Sequence, residues 1–88
     1  MNRKPPPDVQ YRIYITDGGT KFYLRDIIAH EHTEHYFFDT DGRYAMRFRK
    51  WDTAMKYRER MIRAEYHPHI ESFYVDCAGQ PRQMKEIV

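Results

Sequence analysis

The longest periodic pattern of apolar and polar residues in this chain runs from Phe48 to Tyr66. At 100° per residue the apolar positions fall on two adjacent stripes, which are Ala54, Tyr57, Met61 and Ala64 on the first and Trp51, Met55, Ile62 and Tyr66 on the second. Arg58 and Glu65 lie between the stripes, and the opposite arc is charged. The pattern predicts an amphipathic helix of about four turns that begins near Trp51. It should end before His67-Pro68 because the residue that precedes a proline disfavours the helical conformation.

Two alternating segments with a glycine turn between them predict a β-hairpin. Residues 9–16 place Arg12 and Tyr14 on the side opposite the apolar residues, as in a half-buried strand. Asp17-Gly18-Gly19 follows directly and supplies the positive φ angles that a tight hairpin turn requires. We therefore expect residues 21–27 to return as the antiparallel partner.

The remaining segments are shorter, and two of them leave alternatives open. Residues 36–39 predict a short strand by their aromatic residues, and residues 70–76 predict a strand by alternation. Residues 28–35 are polar and rich in histidine, so they form either a loop or a ragged extension of the second strand. Residues 44–48 favour a further strand, although Asp41 is also suited to cap a short helical turn there.

Together these elements predict an α+β fold, with an antiparallel sheet of four to five strands and one long helix packed across one face. The 88 residues suffice for one domain with one core. We expect this domain to span residues 9–77, after a flexible proline-rich arm at residues 1–8 and before a C-terminal tail at residues 78–88. Tyr57 and Met61, in the first helix stripe, should pack on the sheet.

The single cysteine, Cys77, has no second cysteine with which to form a disulfide or a CxxC motif. This cysteine usage indicates a reducing compartment or a buried thiol. The N-terminal residues include three prolines where a signal peptide would need an apolar segment. No run approaches the roughly 18 apolar residues of a membrane-spanning helix. We therefore expect a cytoplasmic protein that does not span a membrane.

The net charge of +2 conceals an uneven distribution. Residues 43–63 carry eight basic residues against two acidic ones, whereas residues 13–42 carry two basic residues against six acidic ones. A bipolar domain of this kind can attract an anionic partner to one side and a cationic partner to the other. The same distribution also serves solubility.

Several short segments follow one another at fixed spacing. They are Phe22-Tyr23-Leu24, then Ala45-Met46-Arg47-Phe48, then a helix with Ala54 on its inner face, and a closing strand at Phe73-Tyr74-Val75. This layout resembles that of small uncharacterised phage and prophage proteins. The resemblance covers about residues 11–76 and departs from the pattern at Lys50, where a capping Ser, Thr or Asp is usual. It implies a non-enzymatic accessory protein of a mobile element, and therefore the cytoplasm of a bacterial host. That class includes inhibitors of host nucleic-acid enzymes and of host defence, and the resemblance implies no catalytic residue.

Three histidines, His30, His32 and His35, lie within six residues and alternate with acidic residues that are also suited to metal binding. On a strand His35 would point away from the other two, and on a helix His30 would lie off their side, so only a loop could gather all three. We therefore expect a solvated loop and no cofactor, with a metal site as the alternative. The one serine, Ser72, lies in a predicted strand and no phosphate-binding loop is present, so we expect no enzymatic activity.

Two surfaces are candidates for binding. The abundance of aromatic residues, eight Tyr, five Phe and one Trp, exceeds what one sheet and one helix readily bury, which favours a protein partner. The partner-binding candidates are the second helix stripe and the arginine beside it, namely Trp51, Met55, Arg58, Ile62 and Tyr66. They could equally form a homodimer interface or belong to the core, with the arginine extending to solvent.

The alternative surface is basic and would contact nucleic-acid phosphates. Its candidate residues are Arg43, Arg47, Arg49, Lys50, Lys56, Arg60 and Arg63. Against this alternative, the whole chain has 15 basic and 13 acidic residues, far from the strongly basic balance of a dedicated nucleic-acid binder. The outer arc of a surface helix is also commonly just charged and solvated.

Overall fold

A computed structural model describes the backbone of residues 8–75 and 81–86 and the side chains of residues 9–73. The elements in chain order are β1 (Asp8–Asp17), β2 (Thr20–His30), β3 (Thr33–Asp39), a 3-10 turn (Gly42–Tyr44), α1 (Trp51–Arg63), β4 (His69–Val75) and β5 (Pro81–Glu86). The strands form one sheet in the order β3-β2-β1-β4-β5, and every neighbouring pair is antiparallel. The antiparallel sheet with one α-helix confirms the α+β class.

The ends of the chain differ from the expected domain limits. Strand β5 pairs with β4 and lies within residues 78–88, so the sheet continues into the segment expected to be a tail. The expected flexible arm, residues 1–8, lies outside the described residues apart from Asp8, which already belongs to β1. Cys77 also lies outside them. No helix in the described part of the chain has the length and apolarity needed to cross a membrane.

The first hairpin forms as the sequence predicts. Asp17 pairs with Thr20 across the two glycines, whose φ angles are +59° and +82°. Two consecutive positive φ angles match the right-handed twist of the strands, which is why Asp-Gly and Gly-Gly favour such turns.

The second hairpin shows that residues 28–35 do not form a loop. Strand β2 continues to His30 and β3 begins at Thr33, so the alternative of an extended second strand is the right one. Only Glu31 and His32 form the turn, and Glu31 adopts a φ of +58°, where glycine is usual. No glycine or proline marks this turn in the sequence.

The prediction of a strand at residues 44–48 is wrong, because Asp41 caps a 3-10 turn. The Asp41 carboxylate accepts a hydrogen bond from the Arg43 backbone N–H at 3.0 Å. Beyond the turn, the chain enters the gap where β1 and β2 diverge. Phe48 exchanges two backbone hydrogen bonds of 2.8 Å with Tyr11 of β1, and Met46 donates one of 2.8 Å to Leu24 of β2.

Helix α1 begins and ends close to the predicted residues. Lys50 precedes it without a side-chain cap, as the sequence indicates. At the other end the Tyr66 N–H bonds to the Met61 carbonyl and the Glu65 N–H bonds to the Ile62 carbonyl, both at 3.0 Å, which is a Schellman motif. Glu65 has a φ of +70° in this motif, again at a position that favours glycine.

One buried cluster joins the helix and the sheet. Its fully buried members are Ile13, Leu24, Ala54, Met61 and Ile70, each with no exposed surface. Tyr57, the second residue expected to pack inward, is partly buried and its ring lies 5.0 Å from that of Phe48.

The sequence predicts that β1 is half-buried, with Arg12 and Tyr14 on its exposed side, and this prediction is wrong. These two residues are only 8% and 2% exposed, and Tyr14 belongs to a second buried cluster with Tyr23 and Ala45. Arg12 Nε donates to Glu71 Oε2 at 2.7 Å, and the Glu71 side chain has no exposed surface. Arg12 Nη1 also donates to the Gly42 carbonyl at 3.3 Å. A Cβ at Gly42 would lie 2.7 Å from that nitrogen, so any other residue there would displace the Arg12 guanidinium.

Candidate functional site

The helix stripe predicted to bind a partner is divided in two by the fold. At its N-terminal half, Trp51 and Met55 are partly buried against the core, and the Trp51 ring packs edge-on against Tyr11 at 5.5 Å. At its C-terminal half, Ile62 is 45% exposed although it is a large apolar residue. The candidate site is therefore limited to the C-terminal end of α1.

An open groove of about 680 Å³ lies at that end, between the last turn of α1 and the start of β4. We call it the helix-end groove, and its lining is mostly apolar. It is lined by Arg58, Ile62, Glu65, Tyr66, His67, Pro68 and His69. The Schellman motif shapes it, because it turns the chain out of the helix and directs the connection to β4 along the groove wall.

Aromatic contacts hold two of the groove residues in place. Tyr66 packs against Tyr36 and Phe38 of β3, with ring centroids 5.3 and 5.4 Å apart. His69 stacks on Tyr14 of β1 at 5.2 Å with an interplanar angle of 23°. Two of the groove residues are thus held in place by contacts with two different strands, Tyr66 by β3 and His69 by β1.

Arg58 gives the groove its polar chemistry. Its Nε atom is buried, and no acceptor within the described residues reaches it. The Arg58 side chain also lines the groove, so a ligand carboxylate in the groove would bind its guanidinium. Beside exposed Ile62, this arrangement suits a ligand with one apolar side chain and one acidic group.

The seven basic candidates do not form one surface. Arg47 lies 5.7 Å from the Phe73 ring, on the Arg12 side of the sheet, whereas Lys56 and Arg63 are exposed on the helix. The Asp41 carboxylate binds Arg43 with a shortest contact of 2.7 Å, and the hydrogen bonds from Arg43 hold the pKa of Asp41 below its ordinary value.

Arg60, a further basic candidate, is occupied by an ion pair with the second hairpin. Its Nη2 donates to Glu34 Oε1 at 2.6 Å, and the Tyr36 hydroxyl donates to Glu34 Oε2 at 2.6 Å. The hydrogen bonds from Arg60 and Tyr36 lower the pKa of Glu34. Burial, reinforced by the hydrogen bond to Glu34, raises the pKa of Tyr36 to about 12. The cluster ties the tip of the hairpin to the helix.

The histidines of the hairpin are exposed and point in different directions. His30 and His35 belong to cross-strand pairs on the face of the hairpin away from the core, while His32 lines a hollow on the helix side with Glu34 and Arg60. Within residues 8–75 and 81–86, no group of three or more His, Cys, Asp or Glu residues is arranged to hold a metal ion.

Sequence reasoning identified Arg58, Ile62 and Tyr66 but missed the other half of the groove. His67, Pro68 and His69 form its second wall. The His-Pro pair marked only the end of the helix, and nothing in the sequence indicates that the connection folds back beside Ile62.

No protein-family model, curated protein or solved structure matches this chain.

Proposed function

We propose that this chain is a non-enzymatic protein-binding module that holds a segment of a partner protein in the helix-end groove. The observation that carries the proposal is exposed Ile62 beside the buried Arg58 Nε, which lacks an acceptor. A segment with an apolar side chain next to an aspartate or glutamate would cover Ile62 and bind the Arg58 guanidinium, which lines the groove. Contacts of this kind, with an apolar anchor and a desolvated arginine, dominate the affinity of many interfaces.

The fold supports this function by supplying a rigid platform. In our proposal the helix lies across one face of the sheet, with Ala54 and Met61 buried in the common core. Tyr66 is fixed by β3 and His69 by β1. A groove that is formed before binding loses little conformational entropy on binding, which favours affinity.

The biological class of the partner follows from the resemblance to phage and prophage proteins. We propose an accessory protein of a phage-type mobile element that acts in the cytoplasm of a bacterial host. Its partner would be a host protein or a nucleoprotein complex, which it would modulate by occupying a binding surface. The acidic group expected of the partner fits a module whose helix region is basic.

The experiment compares capture of partners from host lysates by the wild-type chain and by matched variants, with and without nuclease. Ile62→Glu places a charge in the groove, and Lys56→Glu introduces the same residue at an exposed position of the same helix outside the groove. We expect Ile62→Glu to abolish capture and Lys56→Glu to preserve it. Trp51 is unsuitable for this test because it packs against Tyr11, so that its loss would perturb folding.

Nucleic-acid binding is the competing outcome of the same experiment. Arg63→Glu combined with Lys56→Glu reverses two exposed charges and leaves the ion pair of Arg60 intact. If the double variant loses binding while Ile62→Glu retains it, the groove is not the site. Loss of binding between about 50 and 200 mM salt and after nuclease treatment would then identify phosphate contacts.

A further inference from the structure

Strand β3 (Thr33–Asp39) forms an edge of the sheet, and within the described residues it pairs only with β2. Proteins commonly protect such an edge with lysine, proline or a bulge, since its free backbone groups pair readily with another strand. Strand β3 contains neither lysine nor proline, and the bulge of this hairpin lies in β2. Its two acidic residues are already bound within the same chain, Glu34 by Arg60 and Tyr36 and Asp39 by Arg25. The edge is therefore unprotected.

The face of the hairpin turned away from the core is apolar at its centre. Tyr36 and Phe38 pack against the core cluster, so the alternation of a strand places His35 and Phe37 on the opposite face. Ile28 of β2 pairs with His35 and lies on that face too. Ile28 and Phe37 are 49% and 46% exposed, which makes this the one place where two exposed large apolar residues lie on neighbouring strands of the described sheet.

The sequence of β3 is complementary to itself when two copies run antiparallel with Phe37 at the centre. Phe37 then lies opposite its counterpart, Tyr36 lies opposite Phe38 twice, and His35 lies opposite Asp39 twice. Aromatic pairs are among the cross-strand contacts that stabilise a sheet, and an imidazole N–H can donate a hydrogen bond to a carboxylate opposite it. A register centred on Tyr36 would instead place His35 opposite Phe37 and lose both pairs with the carboxylate.

We propose that a second copy of this chain pairs along β3 and forms a two-fold dimer with one continuous antiparallel sheet. A two-fold axis requires a surface that is complementary to itself, which is the property that β3 has in the Phe37-centred register. Asp39 already accepts hydrogen bonds from Arg25 and from the Asp41 N–H, so its carboxylate is fixed in position before His35 of the second copy approaches. This interface is separate from the helix-end groove and leaves it open in both copies.

The test is the mass of the full chain in solution, measured by sedimentation over a range of concentrations. We expect twice the monomer mass of 10.8 kDa. Phe37→Lys places two like charges at the two-fold axis and should weaken dimerisation by at least about tenfold. Tyr44→Lys is the matched control, because Tyr44 is 54% exposed but lies outside β3 and should leave the mass unchanged.

Two substitutions at His35 test the register. His35→Asp would face Asp39 of the second copy and should weaken the dimer, whereas His35→Lys should preserve it. In a Cys77→Ser background, Phe37→Cys should form a disulfide between two copies on oxidation with diamide, since residues directly opposite at the axis are close neighbours. Tyr44→Cys in the same background should not.

A chain that stays monomeric up to about 1 mM overturns the proposal, because this concentration reaches even weak association. A dimer that tolerates both Phe37→Lys and His35→Asp also overturns it, since the interface must then lie elsewhere. A monomer that binds a strand of a different protein along β3 would show that the second copy is the wrong occupant. Ile62→Glu should leave the dimer intact, so failure of the groove proposal and failure of this one are distinguishable.

Discussion

Replacing Arg12 with methionine tests whether burial makes its ion pair important to folding. The pair with Glu71 has an N···O distance of 2.7 Å, and the two side chains are 9% and 0% exposed. Methionine has a similar length and packs well on aromatic rings, here Tyr23 and Phe73, which flank the Arg12 guanidinium at 4.6 and 5.0 Å. The substitution therefore removes the charge while largely filling the space.

The expected loss is large because Glu71 would keep a buried charge. Among the described side chains, the cation that remains bonded to it is Lys21, at 3.4 Å, which is 36% exposed. Removing one partner of a buried pair costs about 3–5 kcal/mol, and we expect the lower end since Lys21 remains. For a domain of this size a loss of about 3 kcal/mol lowers the melting temperature by roughly 12–24 °C. Urea unfolding followed by circular dichroism measures the change in free energy directly.

Arg43→Met is the matched control, because it removes a cation from an ion pair of the same 2.7 Å length whose arginine is 71% exposed. The Asp41 cap is kept, since the backbone N–H of Arg43 still donates to it. We expect a much smaller cost there, because an exposed ion pair contributes little to stability. In the double variant Arg12→Met, Glu71→Leu, most of the stability should return, because no buried charge remains. Equal costs for the two single variants, or no recovery in the double variant, would refute the reasoning.

Three further predictions concern the helix and the second hairpin. Met61→Ala should cost about 2–4 kcal/mol in urea unfolding, because Met61 is fully buried; a cost below about 0.5 kcal/mol, typical of a surface position, would contradict its place in the core. Glu65→Gly should stabilise the fold by about 1 kcal/mol, since Glu65 has a φ of +70° that a side chain disfavours; a loss of stability would show that the Glu65 side chain makes a contact that outweighs this strain. Glu34→Gln should lower the pKa of Tyr36 from about 12, because it removes the negative charge and the charged acceptor next to the hydroxyl; an NMR titration of labelled tyrosine that finds no change would contradict the hydrogen bond. In the wild-type chain the pKa of Glu34 is lowered, so the contribution of Glu34 to stability is present above about pH 4.3 and is lost as the pH falls through the folded pKa. The pKa of Tyr36 is raised, so its contribution is present below about pH 10 and is lost as the pH rises through about 12. Glu34→Gln should therefore make stability depend less on pH at the acidic end of the curve.

Periodicity and turn chemistry in the sequence by themselves determined the first hairpin, the helix and the α+β class. Gly18 and Gly19 have a local reason to form their turn, and the 3.6-residue period from Trp51 onward is a property of the segment alone. Where the local signal was divided, as between a strand and a capped turn at Asp41, sequence reasoning favoured the wrong alternative. The turn is formed because Asp41 caps it and because the Gly42 carbonyl accepts from Arg12, 30 residues earlier in the chain.

Only the tertiary structure decided which polar residues are buried and where an open surface remains. Arg12 looked like a solvated strand residue because its partner, Glu71, lies 59 residues away on β4. Trp51 and Ile62 share one helix stripe in the sequence, yet the sheet covers the first and leaves the second exposed. The reason is physical: a helical period shows which residues share a face, whereas the extent and placement of the neighbouring strands decide how much of that face is covered.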